Sequence, residues 1–178
     1  MFAVISCAHN PYDNASPEKV AKFKEVSIPF ASGTSYRMNL GPYQGNNRHY
    51  SWGFEVPFGT PVQSMDSGKI ISVHQPEGGG GCDPKKYLNK GHNVRVLHDD
   101  GSVAQYLHVD IKVKENDVVQ KGQVIALTAN NGVVCNPHLH VMVYETKYDV
   151  KPSGTTIPLR FKGIPQGILT PGNSGIVP

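Results

Sequence analysis

The chain has 178 residues, which is long enough for a domain with a hydrophobic core. Charged residues make up 17% and hydrophobic residues 38%, and the formal net charge is only +3. The lysines and arginines are scattered, so the sequence lacks the basic cluster of a nucleic-acid-binding protein. No apolar run approaches the ~18–20 residues that cross a bilayer, and we expect no transmembrane segment.

Residues 1–45 are polar and rich in turn residues, and we interpret them as an N-terminal extension. Within them, residues 4–7 read Val-Ile-Ser-Cys, similar to the end of a bacterial lipoprotein signal, where a small residue precedes the lipidated cysteine. Only six residues precede Cys7, and they include no basic residue. Two interpretations remain: a signal remnant with a lipid anchor at Cys7, or a first strand with a buried thiol.

The remaining elements are mostly short strands. Ser16 as N-cap and Pro17 at the first position predict a short helix over Pro17–Lys24, and a second is predicted over Asp83–Asn89. Asp99–Gly101 reads as a hairpin turn. The Gly/Pro-rich segment 163–178 is predicted to be an irregular tail. The predicted strands are Tyr50–Val56, Pro61–Ser64, Lys69–His74, Asn93–His98, Val103–His108, Val124–Thr128, Leu139–Glu145 and Thr156–Phe161. The fold class that follows is mainly β, with an antiparallel sheet.

Two histidines lie one residue apart in the segment Cys135–Tyr144, which reads CNPHLHVMVY. Apolar residues alternate with His138 and His140, as in a half-buried strand. Side chains at i and i+2 share a face and lie roughly 6.6 Å apart along the strand. Taken alone, the pair is equally consistent with ordinary structural histidines. Its meaning depends on whether other histidines join it.

The chain has eight histidines. We expect His9, His74, His92 and His98 to be solvated, because they lie in predicted loops or at strand ends beside charged and turn residues. Four histidines then remain as candidates for a site, namely His49, His108, His138 and His140.

Four segments, in order, resemble the LytM/lysostaphin type of zinc endopeptidase, the M23 peptidase family. They are HYSWGFEVPFGTPV at 49–62, DSG at 66–68, the run 93–108 that contains YLH, and VKENDVVQKGQVIAL followed by NPHLHV. The resemblance covers residues 46–145. It implies a single mainly β domain over residues 46–162, an antiparallel barrel-sandwich type of sheet with a long groove.

The segment 112–127 also resembles the biotinyl and lipoyl carrier domains, which present a lysine for modification at a tight exposed hairpin. Lys121 lies in a turn before a strand, but no such hairpin is evident. The carrier interpretation also leaves the four histidines without a role, so the peptidase resemblance is favoured.

The resemblance also implies roles for individual residues. His49 and His140 match zinc ligands, and a water would complete an open, catalytic site. His108 and His138 match the two histidines that flank the water and the developing oxyanion. The resemblance further places Ser51, Cys135 and Asn136 in the substrate groove. In contrast, Trp52 and Tyr106 alternate with groove residues and are expected in the core.

One position departs from the family pattern. The register fixed by Gly59–Val62 places the family's aspartate ligand at residue 53, and residue 53 is Gly. Glu55 shares the face of residue 53 and is one candidate replacement. Cys135 could supply a thiolate, and it could equally form a disulfide with Cys82. Without either, zinc binding would be weak or absent.

Two functions therefore remain open. One is an exported peptidoglycan endopeptidase with an altered zinc site, acting on peptide stems or cross-links. The other is a catalytically inactive module that binds peptidoglycan or regulates another cell-wall hydrolase. Both predict a periplasmic or extracellular location, with lipid anchoring through Cys7 as an option.

Overall fold

Alternation of apolar and polar side chains builds one large sheet with two unlike faces. The computed structural model describes residues 16–41, 50–149 and 154–178. Within these ranges the strands are β1 (Lys24–Val26), β2 (Ser35–Leu40), β3 (Trp52–Glu55), β4 (Pro61–Gln63), β5 (Gly68–His74), β6 (Gly80–Gly81), β7 (Asn93–His98), β8 (Val103–Leu107), β9 (Val109–Ile111), β10 (Val118–Val119), β11 (Val124–Thr128), β12 (Gly132–Val133), β13 (His138–Tyr144), β14 (Leu159–Phe161) and β15 (Ser174–Ile176). The helices are α1 (Pro17–Val20) and α2 (Pro84–Tyr87), with 3-10 turns at Lys147–Asp149 and Pro165–Gly167.

The main sheet has eight strands in the order β10-β5-β7-β8-β13-β3-β2-β15, and every neighbouring pair is antiparallel. A second antiparallel sheet has the order β4-β11-β9. Two small two-stranded sheets, β1-β14 and β12-β6, are parallel. The predicted mainly β, antiparallel fold is confirmed.

The main core lies on one face of the main sheet and contains the predicted Trp52 and Tyr106, both with no exposed surface. Phe54 is the centre of an aromatic cluster, with ring centroids 5.7 Å from Phe30 and 5.8 Å from Phe161 in edge-to-face geometry. The Tyr106 hydroxyl accepts a 2.8 Å hydrogen bond from the Met65 backbone N–H. The sequence period therefore identified the core face correctly.

The flanking segments are more ordered than we predicted. The tail prediction is wrong at Ser174–Ile176, which forms β15 and pairs with β2. β2 itself lies in the predicted N-terminal extension, and it pairs with β3 in the main sheet. The domain boundaries at 46 and 162 stay a prediction. In the described part of the chain, no helix has the length and apolar character needed to span a bilayer.

Candidate active site

Strand β13 carries two of the four candidate histidines onto the face opposite the core. In the register of β13 with β3, His140 pairs with Gly53 and His138 pairs with Glu55. On the other side, His140 pairs with Leu107 of β8. Directly paired residues share a face, so residues 53, 55, 107, 138 and 140 all face the same groove.

The third histidine enters the groove through an unusual backbone conformation. His108 lies between β8 and β9, one residue after the groove-facing Leu107, so strand alternation alone would direct its side chain to the core. Its φ of 62° puts it in the left-handed region, which costs of order 1–3 kcal/mol for a non-glycine residue. Its N–H donates to the His92 carbonyl at 3.0 Å and its carbonyl accepts from Ala129 at 2.8 Å. These two hydrogen bonds stabilise the left-handed backbone conformation that directs the His108 ring into the groove.

The three rings form one group. The ring centroids of His108 and His138 are 4.8 Å apart. The centroid of His140 lies 6.3 Å from that of His108 and 6.4 Å from that of His138. Each imidazole offers a ring nitrogen, and these three nitrogens all lie within 4.8 Å of one another. Three imidazole nitrogens at such spacing are a donor set that suits a transition-metal ion or a proton-transfer site.

Two of the rings are oriented by backbone carbonyls. His108 Nδ1 lies 2.7 Å from the Asn131 carbonyl oxygen, and His138 Nδ1 lies 2.8 Å from the Asn136 carbonyl oxygen. A carbonyl only accepts, so each Nδ1 carries the proton and donates. In the neutral ring, Nε2 is then left with a lone pair. Burial lowers the pKa of His108 to about 4, against a smaller opposite effect of the Asn131 carbonyl. His108 is therefore neutral at pH 7 and able to accept a proton.

Asn131 is a site residue that sequence reasoning missed. It is buried, its Oδ1 accepts from the His92 N–H at 2.7 Å, and its Nδ2 donates to the Val109 carbonyl at 3.1 Å. Its own carbonyl orients His108. The neighbouring Gly132 has φ of 75°, and a Cβ there would meet the Gly91 Cα at 2.6 Å, so only glycine allows the loop to approach. The turn-rich sequence AlaAsnAsnGly at 129–132 was the signal that could have found it.

At residue 53, the space of a side chain is already filled. A Cβ on Gly53 would lie 2.1 Å from the Asn39 Oδ1 and 2.9 Å from the Leu40 Cβ. The register of β2 against β3 shifts between Met38 and Leu40, and such a bulge re-aims the extra residue, here Asn39. Asn39 Oδ1 is buried and forms no hydrogen bond. The neighbouring strand thus places an uncharged amide oxygen where a side chain of residue 53 would lie.

The structure places the other predicted site residues as follows. Glu55 pairs with His138 but does not join the three-histidine group, and its carboxylate lies 3.8 Å from Arg37. Ser51 is buried and its Oγ has no hydrogen-bond partner. Asn136 is exposed and contributes the carbonyl that orients His138.

The walls of the groove are joined by a disulfide. Cys135 is bonded to Cys82, 53 residues earlier. Cys135 therefore offers no thiolate, and its candidate role as a metal ligand is excluded. The strand pair β6-β12 lies beside the disulfide and connects the same two loops. A cavity of about 450 Å³ lies between these walls and the sheet, with His108 and His140 in its lining.

The four histidines that we expected to be solvated differ from one another. His74 is exposed, whereas His98 is buried with its Nδ1 3.0 Å from the Ser67 carbonyl oxygen, so the prediction is wrong there. His92 is half-buried, with Nε2 3.1 Å from the Pro76 carbonyl oxygen. His9, Cys7 and the predicted ligand His49 lie outside the described residues.

Comparison with known proteins agrees with this geometry. The sequence model of peptidase family M23 matches residues 47–152, which is more than half of the chain. This chain belongs to peptidase family M23. The match includes the β3 position of Gly53 and the segments that carry His108, His138 and His140.

Several M23 relatives have names that state an activity. The chain is 34% identical over 96 residues to the peptidoglycan DD-endopeptidase ShyB of Vibrio cholerae, covering 53% of this chain and 20% of ShyB. It is 32% identical over 105 residues to lysostaphin of Staphylococcus simulans, covering 56% of this chain and 19% of lysostaphin. The chain thus spans about a fifth of the length of these relatives.

The fold of this chain is also similar to the folds of solved peptidase structures. A zinc-containing peptidase from Vibrio cholerae superposes with a TM-score of 0.51 at 28% identity, over 68% of this chain and 37% of that chain. Lysostaphin superposes with a TM-score of 0.54 at 27% identity, over 68% of this chain and 46% of that chain.

Proposed function

We propose that this M23 chain is an exported cell-wall endopeptidase that hydrolyses peptide bonds in peptidoglycan stems or cross-links. The observation that carries the proposal is the group of His108, His138 and His140 on the groove floor. Relatives named as a peptidoglycan endopeptidase and as lysostaphin support the substrate class. A periplasmic or extracellular location follows from that substrate, and lipid anchoring through Cys7 stays an option.

The donor set fits zinc, which takes imidazole nitrogens readily. By the family resemblance, His49 and His140 would hold the ion. When bound, zinc polarises the scissile carbonyl and lowers the pKa of a coordinated water. For the third ligand, the oxygen donors near residue 53 are Asn39 Oδ1 and the carboxylate of Glu55. Both are poorer than the aspartate they would replace, one because it is neutral and the other because Arg37 lies beside it.

In this proposal, His108 and His138 move the protons of the reaction. Their Nδ1 atoms donate to the Asn131 and Asn136 carbonyls, so Nε2 of either ring is free to accept the one proton that the attacking water loses. A ring that has gained this proton can steady the developing oxyanion or protonate the leaving amine. Burial lowers the pKa of His108, which favours the neutral ring that can accept this proton.

The alternative is a wall-binding module or a regulator of another hydrolase. Gly53 favours it, because the side-chain space there is closed by Asn39 and Leu40. Such a module would keep the groove and bind peptide without cutting it.

Metal content and cleavage together test the two functions. We would purify the chain without chelator, measure zinc per chain by elemental mass spectrometry, and follow release of peptides from purified peptidoglycan. The peptidase predicts zinc binding that His140→Ala abolishes, and cleavage that His140→Ala and His138→Ala abolish. Lys121→Ala, at an exposed turn, is the control and should match wild type. Wall binding without zinc or cleavage would establish the alternative.

A further inference from the structure

Besides the three histidines, the groove floor carries an arginine, Arg95. Arg95 of β7 pairs with Gln105 of β8, which in turn pairs with Met142 of β13. Met142 is two residues from His140 and shares its face. Arg95 is therefore on the groove face, and it lines the same cavity of about 450 Å³ as His108 and His140.

The charge of Arg95 is not balanced within the described ranges. Each ion pair found there involves other residues: Lys24–Asp100, Arg37–Glu55, Lys112–Asp110 and Arg160–Glu25. The Nε of Arg95 is buried and donates no hydrogen bond. A buried donor left unsatisfied costs about 1–3 kcal/mol, and an acceptor group of a ligand in the groove would remove that cost.

The surroundings of Arg95 also suit an acidic ligand. Asn93 lines the same cavity and Gln105 pairs with Arg95 on the neighbouring strand; both are buried, and each has a side-chain oxygen without a hydrogen-bond partner. Their amides can turn to present N–H groups to an incoming acceptor. Within the described residues, no aspartate or glutamate lines this cavity. A guanidinium fork with nearby amides matches the two oxygens of a carboxylate.

We propose that Arg95, with Gln105 and Asn93, forms a subsite for a free carboxylate of the peptide substrate. This inference rests on the proposed function, and it narrows the substrate to peptides with an acidic group near the scissile bond. Uncharged bridges made of glycine would leave the subsite empty.

The distance between Arg95 and His140 determines how far the substrate carboxylate lies from the scissile bond. From His140 to Arg95 there are two interstrand steps of roughly 4.8 Å each and an offset of two residues, roughly 6.6 Å along the strand. The backbones are thus about 12 Å apart, which an extended peptide covers in about three to four residues. The carboxylate therefore belongs to a residue close to, but not at, the bond that is cut.

The test uses matched substrates. Cross-linked stem-peptide dimers with free carboxylates would be compared with the same dimers after conversion of the carboxylates to carboxamides, and with a pentaglycine peptide. Arg95→Gln removes the charge but keeps hydrogen-bonding capacity. Arg160→Gln is the matched control, because Arg160 is a half-buried arginine of β14 that does not line the cavity of Arg95 and is paired with Glu25. Binding is measured by calorimetry and cleavage by chromatography.

We expect amidation to lower kcat/KM of the wild type about tenfold or more, mostly through KM, because one charge-assisted contact is lost. In Arg95→Gln, kcat/KM for the acidic dimer should fall by the same factor, so that the acidic and amidated dimers have equal kcat/KM. Arg160→Gln should have the kcat/KM values of the wild type. Equal use of both dimers by the wild type, or a preference that survives in Arg95→Gln, would overturn the subsite. Efficient cleavage of pentaglycine independent of Arg95 would also overturn it.

The binding measurement separates this inference from the proposed function. If the wild type cleaves none of the substrates, the peptidase proposal fails. The proposed carboxylate subsite is then still supported if the acidic dimer binds more tightly than the amidated one and Arg95→Gln removes the difference. Equal binding of the two dimers in calorimetry would contradict the subsite.

Discussion

The two faces of the main sheet are made by the same strands, yet they obey different rules. On the core face, Trp52, Phe54, Leu139 and Val141 have no exposed surface and belong to one hydrophobic cluster. On the groove face, the intervening positions carry histidines, amides and a glycine, together with a second, smaller hydrophobic cluster that contains Met142 and Tyr144. Buried polar atoms without hydrogen-bond partners occur there at Asn39, Ser51, Asn93, Arg95 and Gln105, whereas the core face has one such atom among the residues named above, Trp52 Nε1. A fold normally pairs such atoms, so their greater number on the groove face indicates a surface that contacts a ligand, while the core face mainly provides stability.

The neighbours His138 and Leu139 test this contrast most strongly. His138→Ala should lower peptide cleavage by about 10²–10⁴-fold, because a proton-transfer group is lost, with little change in unfolding. Leu139→Ala should lower the free energy of unfolding by about 2–5 kcal/mol, because it leaves a cavity in a fully buried layer. Cleavage kinetics and urea denaturation of both variants would decide. A large loss of stability in His138→Ala would mean that its face is structural as well.

The disulfide Cys82–Cys135 stabilises the groove walls rather than the core. It closes a segment of 53 residues, for which chain entropy gives a stabilisation of about 4 kcal/mol. The variant Cys82→Ser with Cys135→Ser should therefore unfold at lower urea. It should also bind peptide more weakly, since the same loops surround the cavity. Unchanged denaturation midpoints in this variant and in reduced wild type would contradict the prediction.

Gly53 tests whether the groove can regain a side-chain ligand. Gly53→Asp alone should lower the free energy of unfolding by about 1–3 kcal/mol through overpacking, since its Cβ meets Asn39 Oδ1 at 2.1 Å. Adding Asn39→Gly clears that contact and should recover part of the loss. It should also tighten zinc binding relative to either single variant, measured by competition with a chromogenic chelator. Tight zinc binding by Gly53→Asp alone would show that Asn39 moves aside freely.

Much of this contrast could be predicted from the sequence. Alternation of apolar and polar residues gave the strands Asn93–His98 and Val124–Thr128 with the observed bounds. It also assigned His138 and His140 to one face and Trp52 and Tyr106 to the core. These assignments depend on local periodicity, which the sequence displays directly.

Other features depend on contacts between distant segments and could not be predicted in this way. His108 reaches the groove only through its left-handed backbone, which is held by His92 and Ala129 from other parts of the chain. Asn39 fills the space at Gly53 because of a bulge in β2. This strand was not predicted, because residues 1–45 are rich in turn residues. The strand Ser174–Ile176 is short and contains glycine, and it pairs only because β2 offers an edge.

The smallest expected effect concerns Asp100, in the hairpin turn between β7 and β8, away from the groove face. Burial alone would raise the pKa of its carboxyl, but hydrogen bonds from Lys24 and Ser102 outweigh it and lower the pKa to about 2. The unfolded chain has a pKa of about 3.9 at this group. The folded state thus favours the carboxylate, and the stabilisation is present above pH ~4 and lost as pH falls through about 2.

Asp100→Asn keeps the acceptor for Ser102 and removes only the charge. Because Asp100 is 54% exposed, solvent screening should limit the loss at pH 7 to below about 1 kcal/mol. Urea denaturation at pH 7 and near pH 2 should show a difference from wild type only at the higher pH. Asp99→Asn, at a neighbouring exposed carboxylate with no ion pair among the described residues, is the control. A difference that persists unchanged near pH 2 would mean that the substituted amide disturbs the turn itself, and that the charge of Asp100 contributes nothing to folding.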